Sequence, residues 1–425
     1  MELNYKRTFF IGMAFMSVTS FWQLYDNIIP LILQNNFGIG ETMTGGIMAM
    51  DNILALFLLP IFGALSDRID TPFGKRTPFI IVGTTLSIIF MMLIPYAARV
   101  VSFPLFFISL GLVLLAMGIY RSPAVALMPD LTPRVHRSSA NAVINLMGAI
   151  GGITTLIFIR LLVPAGQLPD YTGLFLATAV FMAVSVIILS SKIKEKKLLN
   201  EIADSPDYKD IIEEEPEVSG DMPKDVKRSL YFILASIFLW FTAYNALTTA
   251  FSRYAARVWG MEGGSFASAL MVAAAAAFLS YIPVGFISGM IGRKKTIIIG
   301  VITMTVSYFF IHLFLKPSPM INVVFALTGF GWAAINVNSY PMVVEMSKSG
   351  DIGKYTGLYY TSSMAAQIFT PIFSGFLLEN VSYRTLFPYA VLFSTLSLFT
   401  MLFVKHGDIK PSKKKSAIEN FNIEY

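Results

Sequence analysis

Twelve stretches of this chain are long and apolar enough to cross a lipid bilayer, and that constrains the fold more than any motif. A membrane-crossing helix needs roughly 20 consecutive apolar residues. Runs of that size occupy 8–34, 43–66, 78–98, 103–129, 138–163 and 170–191, and then 228–256, 264–290, 296–315, 319–346, 353–378 and 382–404. Charged residues make up only 14% of the chain, against about a quarter in a soluble domain. With so little polar surface to offer water, the chain is expected to be an all-α, multi-pass membrane protein. The opening MELNYKRTFF leads into the first run without a small-residue cleavage site, which predicts a retained first helix.

The placement of charge orients those spans. If the N-terminus faces the cytoplasm, 25 of the 32 Lys and Arg fall on the cytoplasmic side. That asymmetry predicts a cell-membrane protein with both termini in the cytoplasm. It also explains the net charge of +6 without nucleic acid as a partner. Cysteine is absent and there are three histidines, so thiolate chemistry and disulfides are excluded and a metal cluster is disfavoured. No phosphate-binding loop is present, and the glycines of Gly148-Ala-Ile-Gly151-Gly152 sit inside a span, where they allow close helix approach. Nothing points to an enzyme, a cofactor or a metal.

The chain repeats itself. The expected organisation is a six-helix bundle over 1–191, a charged cytoplasmic linker over 192–227, a second bundle over 228–404 and a cytoplasmic tail over 405–425. Gly63-Ala-Leu-Ser-Asp67-Arg68, closing on Gly74-Lys75-Arg76, follows the second span; Gly285-Phe-Ile-Ser-Gly289, closing on Gly292-Arg293-Lys294-Lys295, follows the eighth. The two glycine offsets are 222 and 218, so the first copy holds four extra residues. Arg121 and Asp130 match Asn336 and Glu345 at a constant offset of 215.

These motifs resemble the cytoplasmic loop signature of the major facilitator superfamily, whose halves are parallel repeats. The expanded form S-D-R-x5-G-K-R-x-P-F over Ser66–Phe79 is similar to that of sucrose:proton symporters and the neighbouring glycoside–pentoside–hexuronide:cation symporters. Ala124–Leu131 and Ser139-Ala-Asn141-Ala142 add to the likeness. The resemblance implies a major facilitator fold of twelve helices in two bundles, working by alternating access in proton-coupled symport of a sugar or glycoside, as a monomer in the lipid bilayer. It also implies a cytoplasmic gate of Asp67, Arg68, Gly74, Lys75, Arg76, Asp130 and Glu345, in which Asp67 meets the start of the eleventh helix near Gly353 and Lys354. One departure matters. Sodium-coupled relatives carry two aspartates before a proline in the second helix, where this chain has Ala55 and Leu59 before Pro60. A proton is the expected coupling ion.

Ionisable side chains inside spans are costly, by about 2.5–3.5 kcal/mol on insertion scales, and mark candidate sites. Asp51 lies in the second span and Asp26 in the first, and both are candidates for proton coupling. Trp22, Tyr25, Asp26 and Asn27 combine a flat aromatic face with hydrogen-bonding groups, the mixture that binds a sugar. Arg121, beside Tyr120, requires a carboxylate partner, with Asp26 and Asp51 as the candidates. In the second half, Trp240, Tyr244 and Asn245 fall on one helical face. Asn336, Asn338, Tyr359, Tyr360 and Gln367 add further uncharged polar groups to the expected substrate site. Arg253 and Arg257, four apart, read as snorkelling or outer-gate residues. Two other readings stay open on the sequence: an exporter of drugs or small organic solutes, and a non-transporting membrane sensor.

Overall fold

The computed structural model describes residues 4–132, 137–166, 169–203, 223–346 and 352–408. Among them are thirteen α-helices and no named strand. The first seven are α1 (Tyr5–Asn35), α2 (Glu41–Arg68), α3 (Thr77–Arg99), α4 (Phe103–Asp130), α5 (Arg137–Leu162), α6 (Thr172–Lys192) and the short α7 (Glu195–Ala203). The rest are α8 (Lys224–Trp259), α9 (Ala267–Ile291), α10 (Arg293–Leu313), α11 (Met320–Val344), α12 (Ile352–Asn380) and α13 (Leu386–Leu402). Single 3-10 turns at Gly263–Phe266 and Tyr383–Thr385 precede α9 and α13. At 1.5 Å per residue, the 21-residue α6 is about 32 Å long, enough to cross a bilayer, and α13 reaches 20 residues with the 3-10 turn before it.

Ten of the described helices are apolar enough to cross. The two long helices outside that group are α1 and α12, which carry the polar stretches Trp22–Asn27 and Tyr359–Ser363. Prolines stand inside α1, α2, α3, α4, α9, α11 and α12. Among packed helices the freed carbonyls find other partners, so such breaks are tolerated. Helix ends follow local rules: Gly260 closes α8 in the left-handed conformation at φ 62°, which a residue with a side chain rarely adopts.

The helices group into two compact units. One comprises Met1–Ile39, Met50–Glu213 and Glu262–Ser268; the other comprises Gly40–Ala49, Glu214–Met261 and Ala269–Tyr425. In the first, α1 packs on α5 and α6, and α3 on α4 and α6. In the second, α8 packs on α12 and α13, and α10 on α11 and α13. The packing scheme is therefore duplicated along with the sequence. Each unit has a close glycine contact at the same place. A Cβ on Gly83 of α3 would lie 2.7–3.0 Å from Tyr120 of α4. A Cβ on Gly300 of α10 would lie 2.7 Å from the Gly331 carbonyl of α11.

The units exchange short pieces of sequence. Residues 40–49, the head of α2, group with the second unit. There the Arg253 guanidinium donates to Glu41 at 2.8 Å, with the two side chains 4% and 2% exposed. Arg253 is thus a buried, paired cation, which corrects its reading as a snorkelling residue: the carboxylate comes from a helix more than 200 residues away. Residues 262–268 group with the first unit, where the Gly264 amide donates to the Val163 carbonyl at 3.2 Å.

Candidate functional site

Three ionisable groups approach one another inside the helices of the first unit. Asp26 comes from α1, Asp51 from α2 and Arg121 from α4, and all three are half-buried. The Arg121 guanidinium lies over the Trp22 ring, 5.3 Å from its centroid. A cation over an aromatic face is attracted by about 0.5–2 kcal/mol, more as water is excluded. Tyr25 and Phe21 each meet Trp22 edge to face, at 5.4 Å and 5.1 Å, and lie 6.0 Å from each other, so three rings pack together as one cluster. The Asn52 amide donates to Asp51 at 2.7 Å. Arg121 acts electrostatically on both Asp26 and Asp51, and Asp51 acts on Asp26. The three therefore form one coupled group.

Trp22, Asp51 and Arg121 line a cavity with Leu54, Leu58 and Met117. Its room, about 10 Å³, is that of a single water. A sugar does not fit without separation of these walls. What the arrangement can do as it stands is hold a guanidinium over an aromatic platform within electrostatic reach of two carboxylates, one of which, Asp51, faces the cavity.

Other predicted residues sit elsewhere. Asn27 is buried and its amide donates to the Gln23 carbonyl of its own helix at 2.9 Å. Tyr120 is fully buried, its hydroxyl donating to the Ala14 carbonyl at 2.9 Å, so it ties α4 to α1. In the second unit Trp240 is fully buried, while Tyr244 and Asn245 are half-buried. Tyr244 stacks face to face on Trp332 at 3.7 Å and 4°, with Phe241 edge-on to the same indole at 5.2 Å. Trp332 lies one turn before Asn336 in α11, and sequence reading missed it for want of a polar neighbour closer than that. Asn336 and Asn338 are buried, the latter donating to the Ala334 carbonyl at 2.9 Å. The Tyr359 hydroxyl meets Ser339 at 3.2 Å, and its ring lies 5.5 Å from that of Tyr360. Gln367 is half-buried in α12.

The expected gate residues form a tight local network. Arg76 is 6% exposed. Its guanidinium contacts Asp67 and the Ser66 hydroxyl and donates to Asp130 at 2.8 Å. Burial alone would push the Arg76 guanidinium down, but Asp130 and Asp67 outweigh it and hold it above its ordinary value. Asp67 is thus engaged by its own loop. Arg68 and Lys75 are exposed, and Gly74 takes φ 113°. In the second unit Arg293 pairs with Glu345. The Lys354 side chain lies outside the described residues.

Comparisons with known proteins agree with this architecture. The family model of the Major Facilitator Superfamily matches residues 9–289 and 266–422. Two curated relatives from Arabidopsis thaliana are sucrose transport protein SUC3, 29% identical over 151 residues, and sucrose transport protein SUC4, 28% identical over 150. Each match spans 31% of this chain, and 25% and 29% of those relatives' lengths. A POT family transporter solved with 5-aminolevulinic acid superposes with a TM-score of 0.70 at 13% identity, covering 94% of this chain and 95% of that one. The inward-open xylose transporter XylE from E. coli gives 0.67 at 15% identity, covering 98% of both chains.

Proposed function

The chain belongs to the major facilitator superfamily, and on that premise we propose that it couples the inward movement of protons to uptake of a sugar or glycoside. The carrying observation is the half-buried trio of Asp26, Asp51 and Arg121, with the Arg121 guanidinium over Trp22 and Asp51 on the cavity. A carboxylate beside a guanidinium inside a membrane helix is stable while paired. When it takes up a proton, the cation is released to other partners. Asp51, braced by Asn52 and open to the cavity, is the proton carrier. Arg121 is the group whose partner changes, and Trp22 offers a flat face to the apolar side of a sugar ring. Within the second unit, the stacked Tyr244 and Trp332 form a separate candidate face for a sugar ring.

The sucrose transport relatives favour a saccharide as substrate, and the lysine and arginine distribution favours a cell-membrane protein with both termini in the cytoplasm. The test is uptake of labelled disaccharides and glycosides into proteoliposomes with an imposed pH gradient, acid outside. Accumulation above equilibrium, lost when the gradient is collapsed and lost in Asp51→Asn, is the expected result. Gradient-driven accumulation by Asp51→Asn at the wild-type rate would remove Asp51 from the coupling step. No saccharide accumulating would remove the substrate class.

A further inference from the structure

Each half of the chain ends in an acid that reaches back to the Gly-basic-basic turn of the same half. In the first half that acid is Glu195, three residues past the end of α6 at Lys192. It stands in a lysine-rich run that reads as solvated linker, yet it is 0% exposed. Its Oε1 accepts from the Lys75 amide at 2.7 Å and the Arg76 amide at 2.9 Å. Its Oε2 accepts from the Thr77 amide and the Thr77 hydroxyl, both at 2.7 Å. α3 begins here with no side-chain cap of its own, and the first amides of a helix otherwise lack partners. Pro78 removes one such amide, and Glu195 takes the donors just before it. Gly74 makes the approach possible: a Cβ there would sit 2.4 Å from the Glu195 carboxyl carbon. The neighbouring Lys196 braces the same loop through Asp70 at 3.1 Å.

The second half repeats the device in weaker form. Asp408, six residues past the end of α13 at Leu402, accepts from the Lys294 amide at 3.0 Å. Gly292 holds φ 96°, and a Cβ there would lie 3.0 Å from the Asp408 Oδ1. Asp408 is exposed and takes one backbone amide where Glu195 takes three.

We propose that Glu195 and Asp408 are paired positioning residues, each fixing the basic turn of its half. Glu195, by clamping the backbone of residues 75–77, sets the Arg76 guanidinium against Asp67 and Asp130. The inference rests on this geometry and holds whatever the substrate. Both carboxylate oxygens face donors only. Glu195→Gln, of equal volume, therefore turns an amide NH2 group toward an N–H or O–H and breaks the clamp, whereas a packing role would tolerate it.

The experiment is hydrogen–deuterium exchange on the purified full-length protein, with phenylglyoxal labelling of arginines read by mass spectrometry. In Glu195→Ala and Glu195→Gln the amides of Lys75–Thr77 should exchange at least tenfold faster, and Arg76 should label severalfold faster. The buried Arg253 stays at its wild-type rate as the control for global folding. Asp408→Ala should speed exchange at Lys294 by a few fold and leave residues 75–77 unchanged. If Glu195→Ala also exposes Arg253, Glu195→Gln alone decides. Wild-type exchange at 75–77 in Glu195→Gln overturns the clamp. Faster exchange with unchanged Arg76 labelling overturns the positioning role.

Discussion

Two sets of charges lie inside the helices, and they are built differently. Asp26, Asp51 and Arg121 in the first unit are half-buried, and Asp51 and Arg121 line a cavity with room for a water. Glu41 and Arg253 in the second unit are sealed, with 2% and 4% of their side chains exposed. A sealed pair is shut off from water: beyond each other, Arg253 meets the Thr249 carbonyl and Glu41 the Tyr383 hydroxyl, and removing one charge strands the other in a medium that solvates it poorly. In the proposed coupling, Asp51 trades a proton at the cavity while Arg121 changes partner. On that proposal, access rather than location within a membrane helix marks out a working charge.

The contrast breaks most visibly at the sealed pair. Arg253→Ala should destabilise the protein by about 3–5 kcal/mol, because Glu41 is left buried and unpaired. Thermal or denaturant unfolding in detergent measures this, and replacing both residues by Met and Leu should recover most of the loss. A cost under about 1 kcal/mol would mean that the pair is solvated and the contrast false. Arg121→Ala should do the reverse: it should destabilise less than Arg253→Ala, because Asp51 faces a cavity and can take up a proton in place of the lost cation, while gradient-driven uptake falls about 100-fold, or ~2.7 kcal/mol. Arg121→Lys keeps the charge but loses the broad guanidinium over Trp22, so an intermediate loss is expected.

These two arginines also show how far the sequence could be read. The helices were legible because apolar runs of about twenty residues admit one solution in lipid. Arg121 could be singled out from its surroundings alone. Arg253 could not be told from a snorkelling residue, because its partner lies at Glu41, and one-dimensional spacing carries no information about a contact 212 residues long. Glu195 was hidden for the same reason, within a lysine-rich stretch that looks solvated. Trp332 was missed because a tryptophan in an apolar helix is ordinary until its stacking partner, Tyr244, is seen.

Smaller effects sharpen the comparison. Trp332→Ala removes the second unit's stack, worth about 0.5–1.5 kcal/mol beyond its buried area. It should weaken substrate binding about tenfold without altering the dependence of uptake on the pH gradient. A changed pH dependence would show that the second unit shares in coupling. Smallest is the surface pair of Arg99 and Asp170, 2.9 Å apart with both side chains more than half exposed. The Thr172 hydroxyl and amide, with Arg99, hold the Asp170 carboxyl below its ordinary value. A depressed carboxyl stabilises the folded state above its unfolded pKa and loses that contribution as pH falls through the folded one. Asp170→Asn should therefore cost less than about 1 kcal/mol at neutral pH, and nothing once acid has protonated the wild-type group.

The reach of Glu195 to Thr77, 118 residues along the chain, sets an order of events during synthesis. At about 5–20 residues per second, the ribosome takes roughly 6–24 s to travel from the turn to the acid that closes it. Until then the amides of residues 75–77 have no protein acceptor of this kind, and Arg76 has no fixed backbone from which to meet Asp130. The acid follows the sixth helix, so the turn is secured only when α1 to α6 have been made. Asp408 stands at the same point of the second half. Each half thus carries, in its last residues, a marker that its bundle is complete.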